Sequence, residues 1–142
     1  MNSTATIFAR LKSQTAITDA LDVRNGEPAI FNDRAPDDFV FGSEAAIVIG
    51  APDSDLDGST FTERVRVIGQ AIRIYGRDDG SSADIDALAR DVRDAFDNQQ
   101  DSLTVTGGKC IASTATGPTG APTTDPSLIG RRVTLRLELQ ET

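Results

Sequence analysis

"FTERVRVIGQAIRIYG", residues 61–76, runs directly into "RDDGSSADIDALARDVRDAFDNQ", residues 77–99. The first segment alternates: Phe61, Glu63, Val65 and Val67 share one phase, and Ile68, Ile72 and Ile74 share the other. The slip falls at Ile68–Gly69, and a glycine at a phase change predicts a bulge within one long strand. The second segment opens with the turn RDDGSS. Ser81 or Ser82 can then cap a helix running to about Asn98. Ile85, Leu88, Val92 and Phe96 recur at spacings of three and four, which is the stripe a helix turns toward a core. On its outer side the spacing offers the pairs Asp86–Arg90, Arg90–Asp94 and Arg93–Asp97, each a small contribution. Strand, turn and helix in succession set the fold class.

Working outward from this unit, EAAIVIG at 44–50 is a continuous apolar run bounded by Gly50 and Pro52, the mark of a buried strand. Upstream, TATIFARLK at 4–12 places Ile7, Phe8 and Leu11 on one helical face with Ser3 as N-cap. AITDAL at 16–21 adds a short turn before the breaker Asn25–Gly26. Residues 27–42, with Pro28 and Pro36, form an ordered connection pinned by Phe31, Phe39 and Phe41. Downstream, SLTVTGGKCIAST at 102–114 is a strand broken at Gly107–Gly108. Residues 116–130, with three prolines and three glycines, are expected to be loop throughout, extended or flexible. RRVTLRLELQ at 131–140 alternates cleanly, with Val133, Leu135, Leu137 and Leu139 facing inward. The expectation is a single α+β domain over residues 1–142. Its sheet has four mostly antiparallel strands, with helices packed on one face.

Composition removes many kinds of chemistry. There is no histidine among the 142 residues, so serine triads, Cys–His pairs and histidine-ligated zinc are excluded. Cys110 is the single cysteine; beside Ile111 and Ala112 it reads as a half-buried structural thiol. With 22 acidic and 14 basic residues the net charge is −8, a balance that repels nucleic acid. The arginines are largely interleaved with aspartates and form no obvious basic stripe. No apolar run approaches the roughly 20 residues of a membrane span, and the first residues lack the pattern of a secretory signal. The expectation is a soluble protein with no membrane partner.

Asp53, Asp55 and Asp57 followed by Gly58 imitate the start of a calcium loop. Counted from Asp53, however, position 8 is Thr60 and position 12 is Arg64, while Glu63 falls one place early. A carboxylate-rich turn between two strands accounts for the segment without an ion, so no metal site is assigned. Asp37–Asp38 and Asp78–Asp79 are adjacent pairs in loops, where neighbours point apart. No phosphate-binding glycine motif occurs, and TGGKC lacks its flanking residues. No catalytic residue and no cofactor is expected.

Two stretches, NDRAPDDFVF through RDAFD and the closing GRRVTLRLELQET, resemble the tail-completion, or tail-terminator, proteins of long-tailed phages and prophages. The shared features are DRAP after a short helical start, an ER–V–V strand ending in an aromatic, a Ser-capped helix and a terminal alternating strand. The resemblance implies a non-enzymatic virion protein, assembled in the host cytoplasm. It would form a homo-oligomeric ring, commonly a hexamer, at the head-proximal end of the tail. Its implied partners are the tail tube protein and the head–tail connector or stopper, with DNA passing through unbound. A stopper or adaptor ring of the same joining complex is the alternative. The assembly-interface candidates are Pro118, Pro122, Asp125, Pro126 and Arg131. The prolines restrict a segment that has no large apolar residue between Thr116 and Ser127, and so contributes little to its own core.

Overall fold

The computed structural model describes residues 2–142. Helix α1 spans Ser3–Ser13 and a single turn, α2, spans Thr15–Thr18. A small hairpin pairs β1 (Val23–Arg24) with β2 (Glu27–Pro28). The main sheet contains β3 (Ile30–Asn32), β4 (Ala46–Ile49), β5 (Ser54–Asp57), β6 (Val65–Arg77), β7 (Gly108–Ala121) and β8 (Leu128–Glu141). Helix α3 (Ala83–Phe96) and a 3-10 turn (Gln100–Ser102) lie between β6 and β7. The strand order is β3-β4-β6-β8-β7, with β5 joining β6 beyond the end of β4. β3 pairs with β4 in parallel, and every other ladder of this sheet is antiparallel.

The α+β class holds, with six strands in the main sheet where four were expected. The additions are β3, only three residues long, and β5, four exposed and mostly acidic residues, neither of which can show a period. β3 reaches a parallel register only because residues 33–45 carry the chain back, since parallel neighbours need a long return. That return is pinned by aromatics as expected: Phe31, Phe39 and Phe41 stack edge to face with centroids 4.9 and 5.0 Å apart.

The core forms between one face of the sheet and the helices. Ile85, Leu88, Val92 and Phe96 of α3 are buried against Val133, Leu135, Leu137 and Leu139 of β8 and against Ile72 and Ile74 of β6. Each such side chain contributes about 1.5–3 kcal/mol when fully buried. Ile7 and Leu11 anchor α1 in the same core, and Arg10 Nε donates to the Ala95 carbonyl at the end of α3, 2.9 Å away. The N-cap of α1 is Asn2, whose side chain accepts from the Ala5 amide. Ser3, expected at the cap, is instead buried and donates from Oγ to Gln70 Oε1 at 2.8 Å.

Three further expectations are corrected. β6 has no bulge at Gly69, because its register with β8 is continuous from Val65↔Gln140 to Arg77↔Leu128. Gly69 lies opposite Ser54 of β5, where a Cβ would meet the Ser54 hydroxyl and turn it to another rotamer. The apparent phase change arises because Val65 and Val67 lie on the sheet face away from the helices. Phe61 is not in the strand at all. Next, residues 116–130 are mostly strand. β7 extends to Ala121 and β8 begins at Leu128, leaving a loop of residues 122–127. β7 is an edge strand, where proline costs no ladder bond, and Pro118 sits in an irregularity between Thr116 and Thr119. Gly117, at φ 107, makes that bend possible; a Cβ would lie 2.8 Å from the Arg132 carbonyl. Last, the three pairs expected along α3 do not form. Arg93 pairs with Asp94, and Asp86 pairs with Arg131 of β8.

Candidate assembly surface

The interface candidates do not form one patch. Pro118 lies in the β7 irregularity, while Pro122, Asp125 and Pro126 belong to the β7–β8 loop. That loop is organised by its own hydrogen bonds. The Asp125 carboxylate accepts from Ser127 N at 2.9 Å and from Ser127 Oγ at 2.7 Å. These bonds, the hydroxyl's first, lower its pKa below the usual carboxylate value. The Ser127 carbonyl accepts from the Asp78 amide at 2.8 Å, which ties the loop to the turn after β6. Arg131 points to the other side of the sheet. Its Nε donates to Asp86 Oδ1 at 2.6 Å in a partly buried pair that fastens α3 to β8. The same bond, with a second from Ser82, holds the Asp86 pKa low.

Asp53, Asp55 and Asp57 are not a turn. Ser54–Asp57 is strand β5, hydrogen-bonded along β6, with the turn at 58–64. Asp55 forms an ion pair with Arg66 at 2.7 Å, and Asp57 accepts from the Ser59 amide at 2.9 Å. Among the described residues no group of three or more His, Cys, Asp or Glu side chains is placed to hold a metal ion. Cys110 is buried under the sheet, where desolvation raises its thiol pKa. No helix among the described residues is long and apolar enough to cross a membrane.

What sequence reasoning missed lies on the sheet face away from the helices. Strand register places Arg73 of β6 directly opposite Arg132 of β8, and neither ion-pairs with a carboxylate among the described residues. Arg136 follows on the same face of β8. Arg73 and Arg132 are therefore brought together across two strands, which only the register could have shown, whereas Arg136 is paired with Glu138 at 3.2 Å. Beside Arg73 a groove of about 340 Å³ is walled by Phe41, Val48, Tyr75 and Leu128, with Arg34 at its rim. Gln70 was also missed. It is fully buried, the one amide in an apolar strand segment.

No protein-family profile matches the chain, and no curated protein sequence matches it. Its fold is similar to that of a solved chain described as "Virion of native gene transfer agent (GTA) particle". The TM-score is 0.72 at 17% identity, over 96% of this chain and 92% of that one. The fold is thus shared with that chain over nearly the full length of both.

Proposed function

We propose that this chain is a structural virion protein: a ring subunit that closes the tail tube at its head-proximal end and joins it to the head–tail connector. The carrying observation is the end-to-end fold similarity to a chain from a virion particle, together with the sequence resemblance to tail-terminator proteins. The charge supports the reading. A lumen lined by subunits of net −8 lets a polyanion slide through without gripping it. Such a role asks for surfaces and not for reacting groups, and the function rests on shape and contact.

Cosedimentation separates this role from that of a stopper or adaptor ring. The purified protein is mixed with tail tubes and, separately, with head connectors. A terminator pellets with the tubes at a ratio far below one per tube subunit, because it occupies only an end. A stopper or adaptor pellets with connectors alone.

A further inference from the structure

The β5–β6 hairpin makes little use of its own subunit. Every residue from 51 to 64 is exposed. Leu56 is 63% exposed and Phe61, in the turn, is fully so. Phenylalanine is a residue type enriched at protein contacts, and here it stands with Leu56 on an arm whose side chains are left uncovered by its own subunit. The hairpin is also acidic, with Asp53, Asp55, Asp57 and Glu63 against Arg64. Asp55 alone of the four has an ion-pair partner among the described residues.

The opposite character appears at the far end of the sheet. The groove walled by Phe41, Tyr75 and Leu128 offers apolar depth, with Arg34 and Arg73 beside it. Like charges placed directly across strands, as Arg73 and Arg132 are, destabilise a sheet unless a counter-charge arrives. Asp33 and Asp125 also line this groove, but Asp125 is occupied by Ser127 and neither carboxylate pairs with these arginines. The hairpin cannot reach the groove within one chain, since Val65 and Tyr75 are separated by about 33 Å of strand and the turn lies beyond Val65.

We propose that the 51–64 hairpin is a docking arm that seats on a second copy, with Phe61 entering that copy's groove and the hairpin carboxylates facing its Arg34, Arg73 and Arg132. The contact is head to tail: each subunit gives an arm at one end and receives one at the other. Two different complementary patches are what a closing ring of identical subunits requires. This names the contact of the ring reading above and rests on it.

The test mixes two variants, Phe61→Cys and Thr124→Cys, the latter on the groove wall. Both positions are exposed, and native Cys110 is buried. Under mild oxidation the mixture should yield disulfide-linked pairs containing one chain of each, and neither variant alone should do so. Phe61→Ser should fold normally by circular dichroism and weaken self-association by about tenfold or more, equivalent to about 1.4 kcal/mol. Arg73→Glu should weaken it likewise and be partly rescued by Asp57→Arg in the partner chain. Rings that persist without the mixed cross-link, or with Phe61→Ser unaffected, would overturn the arm contact and leave the ring reading standing. Cross-links within Phe61→Cys alone would show a symmetric hairpin contact and overturn the proposal. A wild-type protein that never self-associates would overturn both.

Discussion

Gln70 should be worth more to stability than any exposed ion pair in the molecule. Its amide is fully buried. It accepts from Ser3 Oγ at 2.8 Å and donates to Thr4 Oγ1 at 2.8 Å and to the Gly50 carbonyl at 2.7 Å. One side chain thus binds the start of α1 and the end of β4 to the middle of β6. Gln70→Leu keeps most of the volume, so the cavity cost is small, but it removes three hydrogen bonds at about 1 kcal/mol each. The expected loss is about 3 kcal/mol, a large fraction of the ~5–15 kcal/mol that holds a domain folded. For a chain of this size that corresponds to a midpoint lowered by roughly 10 °C. Urea unfolding measures it as a lower midpoint at unchanged slope. The Ser3 hydroxyl, buried and orphaned in the single variant, carries part of the cost. Adding Ser3→Ala should therefore restore about 1 kcal/mol relative to simple additivity. A loss below 1 kcal/mol, or additive effects of the two changes, would refute the network's role.

Leu135, buried in the centre of β8, should not tolerate a carboxylate; Leu135→Asp is expected to unfold the chain, and a cooperatively melting variant by calorimetry would show the strand phase to be misread. The Asp86–Arg131 pair should give an acid-side dependence. Because the folded-state pKa of Asp86 lies below the ordinary 3.8, its stabilisation is present above that value and fades as pH falls through the lowered one. Asp86→Asn should therefore be less stable than wild type at neutral pH and equal to it in strong acid, as read from denaturant midpoints across pH. Replacing residues 122–127 with a short Gly-Ser turn should leave the melting temperature nearly unchanged while impairing assembly, whereas loss of both would make the loop part of the fold. Calorimetric titration should show no micromolar calcium binding, and binding abolished by joint replacement of Asp53 and Asp55 would contradict the strand reading of that segment.

The readable parts of this fold were those with strong, uninterrupted periods. α3 kept its apolar stripe because one face meets the sheet along its whole length, and β8 kept its alternation because helices cover one face and solvent the other. β4 was apolar throughout because both its faces are covered. β7 was legible only in its first half: the strand expected at 102–114 begins at Gly108 and runs on to Ala121, because two register shifts, at Cys110/Ala112 and Thr116/Thr119, erase its period and an edge position lets it hold Pro118. β5 was hidden because all four of its residues are exposed, so burial left no pattern to read. Of the candidate surface, the prolines and Asp125 of the β7–β8 loop were visible as composition. Arg131 was visible only as a charge, and the structure places it in a pair with Asp86 on the side away from the loop's groove. The Arg73–Arg132 pair and the groove beside it depend on register between strands distant in sequence, which no local pattern encodes.

Electron microscopy of the negatively stained protein, alone and mixed with tail tubes, tests the central reading most directly. The ring reading expects annular particles with a central opening in the protein alone, and tubes carrying one extra disc of density at a single end in the mixture. A monodisperse monomer that leaves both tube ends bare, or binds along their length, would contradict it.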